Sequence, residues 1–292
     1  MRKNLKGGLL CLLAMAVLLI FLLVGCANSA NNPNEGADDP TLPEAEQPSE
    51  NGGDNGSEGA DEPTPPEAEQ PSDAEASGKK RIALTLDDGP HNVYTKKIVD
   101  ELAKYGAHAT FFVVGNRVDG TAYNGRAGME YAIANGHEIG IHGYTHALYY
   151  NECSDDEFRY ELSNTWTAIR SVSPSTEISL MRPIGGAITA ERVERCPYAV
   201  IMWDIDSEDW KHKYSADDDD AQRKAKAELI ANNIISKAAD GSIILMHDLY
   251  ESTYDALVIV LEHLYAEGYE VVTVSELLGD EMNFGQKYYS AR

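Results

Sequence analysis

The chain has 292 residues, with 24 Lys and Arg against 48 Asp and Glu, for a formal net charge of −24 at pH 7. A balance this acidic excludes a nucleic-acid-directed surface, because a polyanion would be repelled rather than attracted. The acids are unevenly spread, and that unevenness divides the chain.

At the N-terminus, Arg2, Lys3 and Lys6 precede an apolar stretch from Leu9 to Val24, the pattern of an export signal. The run ends in Leu23-Val24-Gly25-Cys26, which resembles the lipobox of bacterial lipoproteins. It predicts a signal over residues 1–26, cleaved before Cys26, with a lipid on that sulfur. The competing reading is an uncleaved membrane helix, for which Leu9 to Val24 is slightly short. Either reading places the bulk of the protein on the extracellular side of the membrane, and the first makes the membrane a partner through the lipid anchor.

Residues 27–78 contain fourteen Asp and Glu among Pro, Gly, Ser and Asn, and no Lys, Arg or aromatic residue. Such a segment has too little apolar surface to offset the entropy of folding, so it is expected to be a disordered spacer. Glu35–Glu50 recurs as Glu58–Asp73 with thirteen of sixteen positions identical, too short a unit for a stacked repeat. As a flexible coil the spacer would reach on the order of 40 Å, enough to let a tethered domain work within a cell wall.

Residues 79–292 are ample for a single core and carry 34 acids against 21 bases, a balance of −13. Strand candidates run Arg81–Leu86, Thr110–Val114, Ile178–Arg182, Ala199–Asp204, Ser242–Met246 and Tyr269–Thr273. Between them lie helical patterns at Val93–Tyr105, Arg126–Asn135, Asp155–Val172, Ala221–Ala239 and Tyr254–Glu267. Alternating strand and helix predict an α/β fold with a mainly parallel sheet, and this number of units suggests a (β/α) barrel that need not close fully. The acidic run Asp217–Asp220 is read as a solvated loop or a helix N-terminus. Cys153 and Cys196 are the two cysteines of this region; an exported protein could pair them, but two cysteines make no framework.

The chemistry-bearing residues cluster at strand ends. Asp87 and Asp88 close the first apolar run, and His142 and His146 follow four residues apart. Imidazole nitrogen with carboxylate oxygen suits a divalent cation of the zinc type, and one carboxylate could bind while its neighbour accepts a proton. If residues 142–146 turn as a helix, the four-residue spacing puts both imidazoles on one side. Arg182, Asp206, Asp209 and His247 also fall at or just after strand C-termini, where barrel active sites are built. Each has a plainer reading: Asp87 and Asp88 as turn formers before Gly89-Pro90, the two histidines on a surface helix, His247 as a core histidine, Arg182 as a surface ion pair, Trp210 as core. His108, His137, His212 and His263 are read as structural or solvent-facing, as is His91, which is the first candidate for an exception because it lies close to the first acidic pair.

Taken in order, these residues resemble the motifs of the polysaccharide deacetylases of the NodB type, carbohydrate esterase family four. Thr85-Leu86-Asp87-Asp88-Gly89-Pro90 is similar to the family's T-F-D-D-G-P, and His142-Gly143-Tyr144-Thr145-His146 to its H-[ST]-x-x-H. Asp206-Ser207-Glu208-Asp209-Trp210 matches D-x-x-D-W, and Leu245-Met246-His247 matches L-x-H. Arg182-Pro183-Ile184-Gly185-Gly186 meets the third motif only in part.

The resemblance implies a distorted, incomplete (β/α) barrel of about seven units, acting as a metal-dependent N-deacetylase on a cell-wall polysaccharide, peptidoglycan first. Asp88, His142 and His146 would hold a divalent metal, Zn2+ in the first place, with Co2+ or Mn2+ as alternatives. Asp87 would be the base, held by Arg182. His247 would be the acid, oriented by Asp209, with Asp206 the other candidate. Gly185 would offer a backbone N–H to the oxyanion, a donor worth roughly 3 kcal/mol, and Trp210 and Leu245 would line the groove. A monomer is expected. The alternatives are an O-acetyl esterase acting on xylan or another glycan, and a wall-binding module on a lapsed enzyme scaffold.

Two departures carry expectations of their own. Gly185 stands where the family has an aromatic ring, so a groove wall should be missing. Gly143 replaces the Ser or Thr that follows the first metal histidine, and with it a supporting hydrogen bond should be lost, weakening the metal by about ten-fold or more.

Overall fold

Alternation decides the architecture. In β1 (Lys80–Asp87), Ile82, Leu84 and Leu86 join a large cluster with helix residues such as Ile98, Val260 and Leu264. Ala83 joins a second, smaller cluster with Phe112, Leu180, Ala199, Ile201 and Ile243. Successive residues thus face opposite sides of the sheet. The second cluster unites strands far apart in the sheet, so the sheet must curl around it.

The structure, a computed structural model, describes residues 78–120 and 124–292. The expected signal, the lipidation site Cys26 and the acidic spacer up to residue 77 lie outside the described residues. Eight further strands follow β1: β2 (Thr110–Val114), β3 (Glu138–Gly143), β4 (Leu180–Met181), β5 (Ala199–Ile201), β6 (Ile205–Asp206), β7 (Ile243–His247), β8 (Tyr269–Val272) and β9 (Lys287–Tyr288). They are ordered β6-β7-β1-β2-β3-β4-β5-β9, with β8 added on β1, and every ladder is parallel. The helices are α1 (Tyr94–Ala103), α2 (Gly115–Val118), α3 (Arg126–Ala134), α4 (Asp155–Val172), α5 (Ala190–Glu194), α6 (Asp220–Ile235), α7 (Glu251–Ala266) and α8 (Val274–Leu278). The result is a distorted, incomplete (β/α) barrel, the parallel architecture that the alternation of elements predicts in the form that the resemblance implies.

The caps follow local chemistry. Ser154 with Glu157 forms a capping box at α4, and Asp219 with Gln222 forms one at α6, so the acidic run 217–220 is a helix N-terminus.

Three expectations change. The strand expected over Ile178–Arg182 contracts to Leu180–Met181, because Arg182 is drawn into side-chain bonding and Pro183 lacks a donor. Strand β3 has no counterpart among the expected strands. The tail from Gly279 onward, which carries no motif, supplies β9 on the edge of β5, and beyond it Ser290 bridges Ser242 at the start of β7. Ala291 N–H donates to the Gly241 carbonyl at 2.8 Å and Arg292 pairs with Asp204, so the tail spans the gap between the sheet's two ends. Cys153 and Cys196 are both free thiols.

Candidate active site and metal centre

The inward-facing positions at the C-terminal ends of the strands hold the chemistry. Asp87 is the last residue of β1 and stands in register with His247, the last of β7. One step later Asp88 takes a left-handed backbone, φ 70°, which an Asp tolerates better than most residues. This bend turns two consecutive carboxylates toward one space, where a continuing strand would have sent them to opposite faces. Arg117 of α2 donates to the Asp88 carbonyl, and Val114 N–H donates to the Gly89 carbonyl at 2.8 Å, fixing the turn.

Arg182 is fully buried. Its guanidinium donates to the carbonyls of Ile201 (3.0 Å) and Met202 (2.9 Å), to Thr85 Oγ1 (2.7 Å) and to Asp87 Oδ1 (2.8 Å). Its plane lies 4.4 Å from the centroid of the Phe112 ring. A buried cation with this many partners has one position available, and it transmits that position to Asp87.

His142 and His146 do not share a helix. His142 is the inward-facing penultimate residue of β3, and His146 lies in the turn beyond it with φ 58°. The turn, with Gly143 at φ 108°, brings the rings to 5.3 Å centroid to centroid, the convergence expected of a helical spacing reached by another route. His142 Nδ1 lies 2.9 Å from the Arg182 carbonyl, which can only accept, so Nδ1 carries the proton and Nε2 presents its lone pair. That Nε2 is 3.3 Å from Asp88 Oδ1 and 3.7 Å from Asp87 Oδ2, and His146 Nε2 is 2.7 Å from Asp88 Oδ1.

The supporting hydrogen bond expected to be lost at Gly143 is instead replaced. Fully buried Glu161 of α4 accepts the N–H groups of Tyr144 (2.6 Å) and Thr145 (2.9 Å) and the hydroxyl of Thr145 (2.5 Å). A side chain at 143 would collide with the Tyr150 hydroxyl and approach Glu161, so glycine is what the packing requires.

His247 is oriented by Asp209, not Asp206. Asp209 Oδ1 lies 2.7 Å from His247 Nδ1, and its Oδ2 accepts the His247 N–H (2.8 Å) and the Thr253 hydroxyl (2.7 Å). Asp206 Oδ1 accepts the N–H of Glu208 and shapes the turn between them. Burial alone would depress the His247 imidazole, but the hydrogen bond and charge of Asp209 prevail and raise it to about 9.

Of the expected groove residues, Trp210 is 48 % exposed and is no core residue, while Leu245 is nearly buried on the inward face. Gly185, at φ 59°, has no ring of its own, but a Cβ there would lie 3.1 Å from the ring of Tyr149, itself 53 % exposed. A tyrosine from the β3–α4 loop therefore occupies the wall expected to be missing. Two neighbouring residues support the first acidic turn and the helix after it. Asp248 is wholly buried against Gly89, bonded to Thr95, with burial lifting its carboxyl to about 7. His91 caps α1, its Nδ1 accepting from Val93 and Tyr94 N–H.

The donor set fits a cation. Asp88 Oδ1 is buried and, despite its short separations from two imidazoles, makes no hydrogen bond of acceptable direction. The Asp88, His142 and His146 ligand atoms all lie within 4.8 Å of one another. Lone pairs that converge without bonding one another leave a shared space for an ion, and two imidazoles with one carboxylate match a site of the zinc type with positions open. Burial by itself would raise the Asp88 carboxyl, but the close approach of the His142 and His146 imidazoles holds it well below the usual carboxylate range.

A family model for polysaccharide deacetylase matches residues 74–200. A peptidoglycan-N-acetylglucosamine deacetylase of Bacillus cereus is 32 % identical over 210 residues, covering 69 % of this chain and 90 % of that protein. The chain belongs to the polysaccharide deacetylase family. A second such polysaccharide deacetylase, the peptidoglycan-N-acetylglucosamine deacetylase of Listeria monocytogenes, is 30 % identical over 217 residues, 74 % of this chain and 42 % of that protein. The chain thus spans about two fifths of the length of that longer relative. Among solved polysaccharide deacetylase structures, the family 4 acetyl xylan esterase of Clostridium thermocellum, in complex with a cobalt ion, aligns with a TM-score of 0.62 at 30 % identity, over 72 % of this chain and 98 % of that one. The family is divalent-metal dependent, in keeping with the donor set described above.

Proposed function

We propose that this protein is a divalent-metal-dependent hydrolase that removes N-acetyl groups from an extracellular aminosugar polymer, with peptidoglycan N-acetylglucosamine the first substrate. The observation that carries this reading is the convergence of Asp88, His142 and His146 between an Arg182-held carboxylate and an Asp209-held imidazole. The sequence similarity to peptidoglycan deacetylases supports the substrate class.

Asp88, His142 and His146 are assigned to the cation, which we take to be Zn2+, with Co2+ or Mn2+ able to substitute. When bound, such an ion supplies Lewis acidity toward the acetyl oxygen and lowers the pKa of water. Asp87, held in position by the Arg182 ion pair, takes the proton from the attacking water. The Gly185 backbone N–H is assigned to the oxyanion. His247, protonated below about pH 9, delivers its proton to the departing amine nitrogen, and Asp209 stabilises the imidazolium while fixing the ring. Trp210, Tyr149 and Leu245 bound the groove.

Residues 1–26 are proposed as a lipoprotein signal, Cys26 as the lipidated residue and 27–78 as the spacer that carries a monomeric catalytic domain, 79–292, away from the membrane into the wall. O-acetyl ester hydrolysis on xylan is the second reading, supported by the likeness to the acetyl xylan esterase. A lapsed scaffold is disfavoured because Asp87, Asp88, His142, His146 and His247 are all present with their supporting partners.

The test uses the full chain. Acetate release from peptidoglycan or a chito-oligomer, abolished by chelator and restored by Zn2+ or Co2+, is the expected result. Release from acetylated xylan alone would select the esterase, and no release with any divalent metal would refute both.

A further inference from the structure

Beside His247, the same rim of the barrel carries a second cavity of about 320 Å3, outside the groups assigned above. Its walls come from segments that follow three strands: Tyr94 after β1, Lys213 and Tyr214 after β6, and Tyr250 after β7, with Arg223 and Glu251 alongside. These segments leave the C-terminal ends of their strands, so the cavity shares an end of the barrel with the active site. The Tyr250 ring lies 6.5 Å from the His247 imidazole, centroid to centroid, which places the cavity about one sugar ring from the acid.

The charges within the cavity are unequal. Glu251 faces Arg223 at 3.4 Å, and Arg223 in turn lies 5.2 Å over the Tyr214 ring. Asp255, below, accepts the Tyr214 hydroxyl at 2.7 Å. Both nearby acids therefore have partners. Lys213 is exposed, with its Nζ 4.3 Å above the Tyr250 ring and no carboxylate within ion-pair distance among the described residues. An ammonium held on an aromatic face, in a domain whose balance is −13, is a local reversal of the surrounding field. Aromatic faces suit the apolar face of a pyranose, and the ammonium suits an anion attached to it.

We propose that this cavity is the subsite for the sugar adjacent to the one deacetylated, and that it selects a sugar whose substituent bears a carboxylate. Tyr250 and Tyr214 take the ring, and Lys213 takes the charge. The inference rests on the deacetylase reading and sharpens it, because it separates acid-bearing wall glycan from neutral chitin or xylan. In wall glycan the carboxylate could be that of the lactyl ether of muramic acid or one from the attached peptide.

Equilibrium binding to the full chain, followed by calorimetry, tests it without relying on turnover. The ligands are chitobiose, the N-acetylglucosamine–N-acetylmuramic acid disaccharide, and that disaccharide carrying a tripeptide. At least one acid-bearing ligand is expected to bind about five-fold more tightly than chitobiose, the size of one partly screened ion pair, with the advantage shrinking as salt is raised. Preference for the free disaccharide assigns the lactyl group, and preference for the peptide form assigns the peptide. Lys213→Gln should remove the preference and Lys213→Glu reverse it, with circular dichroism checking that the exposed substitution leaves the fold intact. Equal affinities, no measurable binding, or a preference that survives both substitutions would overturn the subsite. Loss of the deacetylase reading would instead register as absent acetate release, whatever the binding ratio.

Discussion

The two halves of the proposed active site, one assigned to proton transfer and one to a cation, are built differently. On the proton-handling side, Asp87 and His247 are each held by a fully buried partner, Arg182 and Asp209, whose hydrogen bonds are made within the protein. On the side assigned to the cation, Glu161 and Arg117 fix the backbone and the Arg182 carbonyl fixes the His142 ring, yet one carboxylate oxygen is left unspent: Asp88 Oδ1 is buried with no hydrogen bond. In the proposed assignment the first half needs no ligand, and the second is completed by an ion. The contrast follows from the tasks. Proton transfer needs groups whose pKa is set beforehand, whereas a metal site needs lone pairs left unspent.

The contrast can be broken most sharply at Asp87. Asp87→Asn should lower kcat by about 10^2- to 10^4-fold while zinc content measured by atomic absorption stays at one per chain. Loss of metal along with activity would show that the two halves are one. Next is Asp209→Asn, which removes the charge that raises His247 to about 9. A general acid works below its pKa, so wild-type activity should be lost as pH rises through about 9, or through a somewhat lower pH once a bound cation opposes the protonated form. In the variant kcat should drop about 10^2-fold, and the alkaline limb should shift downward by about one to two units. An unmoved limb would remove His247 as the acid.

Glu161→Gln addresses the other half. With one carboxylate oxygen replaced by an amide nitrogen that cannot accept, the 143–146 turn loosens, and zinc affinity by competitive chelation should weaken about 10- to 100-fold. The alkaline limb should stay where it is.

The smallest effect is on stability, at Asp248. The folded protein keeps that proton up to about pH 7, whereas the unfolded chain releases it near 3.8. The native state therefore binds more protons across this window, and stability falls as pH rises through it, by on the order of 3–4 kcal/mol. Urea denaturation of wild type and Asp248→Asn at pH 4.5 and 7.5 should show the wild type losing more stability than the variant. Parallel losses would contradict the assignment.

How much of this was legible in the sequence depended on distance along the chain. The strands β1, β2 and β7 read clearly because their apolar residues are continuous, and β1 and β7 end in the acidic pair and in His247. Strand β3 did not, although it carries His142, because Gly140 and Gly143 interrupt it. Both are demanded by space: a Cβ at 140 would come within 2.6 Å of the Phe112 ring, and one at 143 would meet Tyr150. The choice between Asp206 and Asp209 was open because both sit in one motif, and only the register of β6 against β7 settles it. Glu161, Tyr149 and Asp248 carried no motif, and their importance lies in contacts with His-loop, Gly185 and Gly89 atoms that periodicity does not encode. The missing aromatic and the missing hydroxyl were read correctly as departures, and each proved to be compensated from elsewhere in the fold.

The most direct test of the central claim is anomalous diffraction from crystals of the protein grown with zinc. The account predicts a single strong peak about 2.0–2.2 Å from Asp88 Oδ1, His142 Nε2 and His146 Nε2, with Asp87 outside bonding distance. A peak elsewhere with none at this site, or Asp87 taking the place of Asp88 among the ligands, would contradict it.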